Sequence, residues 1–330
     1  MPVSARVRTV SGMLTLLLAT SVACSGQASS GGGSSETLTV YTSVTQETVN
    51  AVVSAYETAH PDMQVNVFRA PTGKLNARIA ADRRSGGVRA DVIWATDPLS
   101  MHGWAKQGLL RRWQLDGISG IPDEFKTEYF WGTRVLYLII AAQEGLQPRP
   151  DHWSDLTDAA YRGEVALPDP AFAGSAFAAL GYFAQARGMD FYRKLRANGA
   201  VQVASTPQVA TDVAQGRYQL GITLARIVRD AAKKGSPIEV VWPRPGAIAL
   251  YSPIGIFKST DSVAGAESFV RFVLSPTAQK EIAKTGWEPA RSGIKGPPKP
   301  KGAQWVTPDW SKLFGQQQDF LRKYQAIFGA

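Results

Sequence analysis

Segments with the spacing of β-strands alternate with segments of helical spacing after residue 37. Residues 38–41, 63–68 and 90–94 are short, apolar-rich runs that predict strands. Between them, residues 49–56 place valines and a tyrosine on one helical face, and residues 74–83 predict a second helix. Strands and helices that alternate at about 25–30 residues per repeat form βαβ units, so the sequence predicts an α/β fold with a mostly parallel sheet.

The alternation continues to the end of the chain. The apolar run 135–142 predicts a buried strand, which we interpret as the first crossing between two lobes. Residues 171–187 predict a long helix, and Thr206-Pro207 is a favourable helix start because a proline in the first turn loses no needed N–H. Residues 310–328 predict one amphipathic helix at the C-terminus.

Size and charge favour a two-lobed protein with an anionic partner. The chain has 330 residues and a formal net charge of +9. About 295 residues remain after the N-terminal segment, which is large for one core and predicts two lobes. The basic residues are scattered along the sequence, whereas nucleic-acid binding needs them gathered on one face, so we expect no nucleic-acid partner. An excess of this size favours an anionic ligand or a polyanionic envelope.

The N-terminal segment has the three parts of a secretory signal peptide. Arg6 and Arg8 precede a mostly apolar run, 10–22, that ends in small residues. At roughly 13 residues this run is too short to span a bilayer, which takes about 20. We predict that residues 1–23 are a signal peptide, that the protein is exported, and that the Ser/Gly-rich residues 24–36 form a flexible tether.

Cys24 is the only cysteine in the chain, so it has no partner for an internal disulfide. The stretch Ser21-Val22-Ala23-Cys24 resembles the lipobox of bacterial lipoproteins, with Ser21 where that family prefers Leu. The resemblance implies cleavage before Cys24 and a lipid on Cys24 that anchors the protein on the outer face of the cell membrane. The alternative is an ordinary signal peptide followed by an incidental cysteine.

The common enzyme motifs do not occur in the sequence. His60, His102 and His152 are too far apart for a metalloprotease helix, which needs two histidines on one face. Residues 174–176 lack the G-x-S-x-G elbow of hydrolases. We therefore predict a binding protein with no catalytic residues, no metal site and no cofactor. A hydrolase on the same surface anchor is the alternative from a different class.

Small, hydroxyl-rich loops follow predicted strands and precede predicted helices. Because the carboxyl ends of parallel strands share one edge of a sheet, these loops predict a ligand site beside the N–H groups of helix N-termini. The alternative for each loop is helix capping, which Ser and Thr provide with or without a ligand. The candidate ligand-binding residues in these loops are Ser43, Thr45, Thr72, Gly73, Thr96, Asp97, Gly174, Ser175, Ala176 and Thr223.

The chain contains a set of short stretches whose order and spacing, taken together, are specific for one protein family. They are residues 40–43, 70–79, 90–94, 108–110, 153–156, 167–170, 221–223, 266–275 and 278–279. Together they resemble the extracellular solute-binding proteins of bacterial ABC importers, in the branch of ferric-ion, phosphonate and sugar-phosphate binders. The resemblance implies a type II periplasmic-binding fold with crossover strands and a ligand cleft between two α/β lobes. Lobe 1 would comprise 37–135 plus 247–330, and lobe 2 would comprise 136–246. It also implies a monomer whose lobes close by hinge motion before it docks on a membrane permease.

The same resemblance bears on the ligand. Ferric-ion binders of this branch use two adjacent tyrosines after the strand that ends near Thr223, where this chain has Leu224-Ala225-Arg226. An arginine in that place would repel a metal ion and attract an anion. We therefore expect Arg226 and the loop hydroxyls to bind a phosphonate or phosphate ester. Ferric iron in an altered site is the runner-up, and an exposed helical position is the alternative interpretation of Arg226.

Overall fold

The computed structural model describes residues 36–113 and 115–329, so the predicted signal peptide, Cys24 and nearly all of the predicted tether lie outside the described residues. The described chain folds into one sheet with helices packed against it. Its strands are β1 Glu36–Thr42, β2 Met63–Arg69, β3 Val92–Trp94, β4 Phe130–Gln143, β5 Val165–Pro168, β6 Val201–Val203, β7 Leu220–Leu224, β8 Ile238–Val241, β9 Ala247–Ile256, β10 Glu288–Pro289 and β11 Trp305–Val306. Its α-helices are α1 Gln46–Ala59, α2 Thr72–Arg84, α3 Pro98–Lys106, α4 Gly174–Arg187, α5 Asp190–Ala197, α6 Thr206–Ala214, α7 Ala225–Lys233, α8 Val263–Val273, α9 Pro276–Lys284, α10 Trp310–Leu313 and α11 Gln317–Phe328.

The order of the strands confirms the predicted α/β architecture, but the prediction of a mostly parallel sheet is wrong, because long antiparallel pairings of β4 and β9 make the sheet mixed. Along the sheet the order is β2-β1-β3-β9-β4-β7-β5-β6. Pairing is parallel between β1 and its neighbours β2 and β3, and again between β5 and its neighbours β6 and β7. It is antiparallel where β9 and β4 join these two groups. The sheet therefore consists of two parallel βαβ groups linked by a central antiparallel pair.

The long strand β4 occupies the middle of the sheet. It pairs with β9 from Phe130 opposite Gly255 to Leu138 opposite Ile248, and it continues against β7 and β8. Successive side chains of a strand point to opposite faces. Accordingly, Leu136 and Leu138 enter one apolar cluster while Tyr137 enters the other. Burial on both faces explains why residues 135–142 form a continuous apolar run.

Several helices begin where capping chemistry predicts. Ser205 Oγ accepts a hydrogen bond from Gln208 N at 3.3 Å, and Pro207 stands in the first turn of α6. Ser275 Oγ accepts from Ala278 N at 3.3 Å in the same way at the start of α9. These caps bind N–H groups that lack partners within the helix, and each typically stabilises by about 1 kcal/mol.

The prediction of one continuous C-terminal helix over 310–328 is wrong. The chain forms α10 and α11, which are separated by a break in which Gly315 has a φ of +90°. A positive φ is incompatible with a right-handed helix and suits glycine. Helix α11 then packs on α4 and α5, with the rings of Tyr324 and Tyr192 5.1 Å apart.

Candidate ligand-binding site

A cavity of about 260 Å³ lies where the loops after several strands meet the starts of helices. The loops that follow β1, β2, β3 and β6 contribute to it, together with the start of α4, the end of β7 and the middle of β4. This is the edge at which open α/β sheets bind ligands. The lining consists of Ser43, Thr45, Arg69, Pro71, Thr72, Thr96, Arg134, Leu136, Phe172, Ala173, Gly174, Ser175, Ser205, Thr206, Pro207, Leu224, Ile227 and Trp287.

Three helices begin at the wall of this cavity. Helix α2 starts at Thr72, α4 at Gly174 and α6 at Thr206, and all three residues belong to the lining. The first turn of a helix has N–H groups without intrahelical partners and a partial positive charge, which together favour anions. Thr72 Oγ1 is buried and has no hydrogen-bond partner among the described residues. Its hydroxyl therefore has an unused hydrogen-bonding capacity beside the cavity.

Arg134 is a buried guanidinium in the wall of the cavity. The residue is 1% exposed, and its Nε and Nη1 atoms have no hydrogen-bond partner in the part of the chain that the structure describes. Burial, and then the nearby charge of Arg226, lower the pKa of Arg134 to about 9. A pKa of 9 leaves the group charged at pH 7. The cavity therefore contains a desolvated positive charge, which an oxyanion would neutralise.

The indole ring of Trp287 contacts the guanidiniums of both Arg134 and Arg226. The Arg134 guanidinium carbon lies 4.4 Å from the centre of the indole ring, and that of Arg226 lies 5.3 Å from it. The indole Nε1 donates to Thr45 Oγ1 at 3.4 Å. Cation–π attraction of this kind offsets part of the cost of burying the charges.

Asp97 lies beside Gly174 of the cavity wall and caps the start of α3. Its Oδ1 accepts a hydrogen bond from Ser100 N at 2.7 Å at the start of α3. Its Oδ2 is buried and has no hydrogen-bond partner within residues 36–113 and 115–329. Burial raises the pKa of Asp97 to about 7. The hydrogen bonds from Ser100 have the opposite, smaller effect and lower the pKa. The carboxyl is thus partly protonated near neutral pH.

Two glycines allow the loop before α4 to approach the loops after β2 and β3. Gly73 N donates to Phe172 O at 3.2 Å, and a Cβ on Gly73 would overlap Ala171 O. A Cβ on Gly174 would overlap Asp97 Oδ2 and would lie 2.7 Å from Thr72 Oγ1. Distances this short are not found for real Cβ atoms, so only glycine fits without a shift of the backbone.

The structure brings six of the predicted ligand-binding residues to the cavity wall: Ser43, Thr45, Thr72, Thr96, Gly174 and Ser175. The other five lie nearby or elsewhere. Gly73 and Asp97 form the contacts just described, and Ala176 faces a separate small cavity of about 10 Å³. Thr223 is buried and donates to Thr206 O at 2.7 Å, which fixes the start of α6.

Arg226, the remaining one, forms ion pairs with Glu47 and, at 2.9 Å, with Asp230. Its guanidinium therefore links α7 to α1. A contribution of Arg226 to ligand binding remains a prediction, as it does for the residues of the wall.

The predictions from the sequence missed several residues of the wall, namely Arg69, Arg134, Ser205, Thr206, Trp287 and the apolar side chains. For Arg134 a signal existed, since it stands two residues before Leu136 at strand spacing, at the edge of the apolar run. The signal was missed because the apolar run that predicts the strand begins only at residue 135, whereas β4 begins at Phe130. For Trp287 there was no local signal, because only the fold brings it to residues more than 150 positions away.

Two further findings concern the described residues. Their helices are all too short or too polar to cross a bilayer. The same residues contain no group of three or more His, Cys, Asp or Glu side chains that could hold a metal ion.

The arrangement of the sheet, with strand-end loops from two parallel groups around one cavity, defines a type II periplasmic-binding fold. Residues 38–288 match the model of the bacterial extracellular solute-binding protein family. An uncharacterised protein of Haemophilus influenzae is 27% identical over 82% of this chain and 81% of its own length.

Two solved structures are similar to the chain in fold. The periplasmic binding protein AfuA from Actinobacillus pleuropneumoniae, with exogenous fructose-6-phosphate bound, has a TM-score of 0.80 at 22% identity, covering 89% of this chain and 98% of AfuA. Iron-bound HitA from Pseudomonas aeruginosa has a TM-score of 0.76 at 19% identity, covering 89% of this chain and all of HitA (100%). The chain belongs to the bacterial extracellular solute-binding protein family. It is the solute-binding component of an ABC importer.

Proposed function

We propose that this protein captures a small phosphorus oxyanion, a phosphonate or a phosphate ester, for import. The observation that carries the proposal is Arg134, a charged guanidinium that is 1% exposed, lines the cavity and lacks a hydrogen-bond partner for two nitrogens within the described chain. A buried cation without an anion is costly, and pairing with a bound oxyanion offsets that cost.

The surroundings of Arg134 complete an oxyanion site. Helices α2, α4 and α6 begin at the cavity wall, and Thr72, Ser175 and Thr206 place hydroxyl groups at these three helix starts. Each favourable helix terminus contributes about 0.3–1 kcal/mol toward an anion. A phosphorus oxyanion has three acceptor oxygens, so it can bind donors from several directions at once. The sugar phosphate bound to AfuA is consistent with this ligand class.

Ferric iron is the weaker candidate despite the likeness in fold to HitA. The cavity wall contains the guanidiniums of Arg69 and Arg134, and their positive charge opposes a trivalent cation. Ferric iron prefers anionic oxygen ligands, and the polar side chains of the wall are hydroxyls and guanidiniums. We propose further that the protein is a binding protein without enzymatic activity of its own.

The cellular setting is part of the same proposal. Cleavage before Cys24 and lipidation of Cys24 would tether the protein to the outer face of the membrane. The boundaries proposed for the lobes, near residues 136 and 247, fall in β4 and at the start of β9, the two strands that join the halves of the sheet. Rotation about these strands would open and close the cavity, and the closed form would dock on the permease as a monomer.

Calorimetry on the purified protein tests the proposed ligand. We expect saturable binding of one phosphonate or phosphate ester per chain, from a panel of methylphosphonate, propylphosphonate and fructose 6-phosphate. A parallel titration with Fe(III) should show no saturable binding and no visible charge-transfer band. Saturable Fe(III) binding with such a band, together with no heat from any member of the panel, would reverse the order of the two candidates.

A further inference from the structure

The cavity wall has two chemically different parts. Its polar side chains are the hydroxyls of serines and threonines and the guanidiniums of Arg69 and Arg134. Its largest apolar side chains include Leu136, Leu224, Ile227 and Trp287, which we call the apolar wall. An anionic head group accounts for the polar part, and the apolar wall then requires a separate explanation.

The apolar wall is continuous and adjoins Arg134. Leu136 lies two residues after Arg134 and so on the same face of β4. Leu224 is opposite Leu138 in the pairing of β4 with β7, and Ile227 follows one turn later in α7. An anion held by Arg134 would therefore place its substituent against these side chains.

The wall favours an apolar substituent over a hydroxylated one. Each methylene group moved from water to an apolar surface strengthens binding about fourfold. A hydroxyl buried against the same surface without a partner weakens binding by about 5- to 150-fold. Carboxylate and amide side chains, which are strong acceptors for ligand hydroxyls, are not among the lining residues in the described part of the chain.

A cationic substituent is disfavoured for a different reason. Trp287 would be the natural partner of an ammonium group, but the guanidiniums of Arg134 and Arg226 already lie 4.4 Å and 5.3 Å from its ring centre. A third positive charge in that position would be repelled at short range in a partly desolvated site.

The size of the cavity sets the length of the substituent. At about 260 Å³ it lies just below the range of roughly 300–1,000 Å³ that is usual for small-molecule sites. The space suits a compact head group with a short chain.

We propose that the site selects an oxyanion of phosphorus with a short alkyl or aryl substituent, and that it discriminates against polyhydroxylated and ammonium-bearing counterparts. This inference rests on the proposed function, since it assumes that Arg134 binds the phosphorus head. It separates this protein from a receptor for sugar phosphates with the same fold.

Three phosphonates of nearly equal size test the inference by calorimetry: propylphosphonate, 2-hydroxyethylphosphonate and 2-aminoethylphosphonate differ only in a terminal methyl, hydroxyl or ammonium group. We expect propylphosphonate to bind at least about tenfold more tightly than either of the others. Propylphosphonate should also bind about 15-fold more tightly than methylphosphonate, through two added methylenes.

A substitution in the wall provides a second readout. Ile227→Thr should reduce the preference for propylphosphonate over 2-hydroxyethylphosphonate by about fivefold, because it adds a hydroxyl to the wall and removes apolar surface. Ile118→Thr changes a half-buried isoleucine outside the cavity wall and should leave the preference unchanged.

The outcomes separate the inference from the proposed function. Equal affinity for the three phosphonates, or tighter binding of the hydroxylated one or of fructose 6-phosphate, would overturn the inference and leave an anion receptor. Failure of every phosphonate and phosphate ester to bind would overturn the proposed function and the inference with it.

Discussion

Replacement of Arg134 by methionine should weaken anion binding and at the same time stabilise the ligand-free protein. Methionine is unbranched and flexible, so it can follow the path of the arginine stem along β4. The substitution removes a guanidinium that is 1% exposed and stacks 4.4 Å from the ring centre of Trp287. Two opposite effects follow, one on the complex and one on the free protein.

The magnitudes follow from burial and charge. Burial lowers the pKa of Arg134 from the usual arginine value to about 9, which corresponds to a cost on the order of 5 kcal/mol for keeping the group charged. Part of this cost is offset by stacking on Trp287, which contributes about 0.5–2 kcal/mol. We therefore expect a net gain of about 3–4 kcal/mol in the free energy of unfolding without ligand. Loss of a desolvated charge contact to the ligand typically costs about 2–5 kcal/mol, which is about 30- to 5,000-fold in Kd.

Thermal unfolding without ligand and calorimetry with propylphosphonate measure the two effects. The Tm of Arg134→Met should rise by about 6–16 °C, since about 1 kcal/mol corresponds to about 2–4 °C in a chain of this size. The control Arg244→Met alters an exposed arginine that pairs with Asp151 at 2.6 Å, and both quantities should stay at their wild-type values. A lower Tm would show that Arg134 is a structural residue, and an unchanged Kd would refute its role as the anion contact.

Three further variants test the loops around the cavity. Gly174→Ala should weaken propylphosphonate binding by about 5- to 150-fold in calorimetry, because the new Cβ overlaps Asp97 Oδ2, while Gly103→Ala in open space on α3 should bind as wild type. Asp97→Asn keeps the cap acceptor but cannot ionise. Because burial raises the pKa of Asp97 to about 7, the wild type binds an extra proton when it folds above pH 4 and loses about 1.4 kcal/mol of stability per pH unit up to pH 7. The stability of Asp97→Asn relative to wild type, from chemical denaturation at each pH, should therefore rise from pH 4 to pH 7. A constant difference would show that burial does not raise the pKa of Asp97. Ser175→Ala should weaken propylphosphonate binding about tenfold in calorimetry and leave the Tm unchanged, whereas equal affinity would mean that its hydroxyl makes no ligand contact.

The sequence contained the local information on the fold but not the long-range contacts of the site. The pair Thr206-Pro207 located the start of α6 because a helix start depends on a few neighbouring side chains. The C-terminal segment was predicted as one helix because its apolar periodicity continues across Gly315, where the structure breaks the segment into α10 and α11. A glycine within a helical pattern is compatible with either result, so only the packing of α11 decides it.

The hydroxyl loops show the same limit within the site. Ser43 and Thr96 follow different strands and meet at 2.8 Å, as the shared sheet edge predicts. Thr223 has the same sequence context, yet its hydroxyl is used to hold Thr206 O. Which hydroxyls face the cavity depends on how adjacent loops pack, and that is not encoded in the residues on either side of each loop.

Native mass spectrometry of the protein purified from its own cells without added ligand tests the central claim most directly. We predict one bound phosphorus-containing anion per chain, which should be lost in Arg134→Met and retained in Arg244→Met. A bound metal ion, a polyamine or a neutral solute, retained equally in both variants, would contradict it.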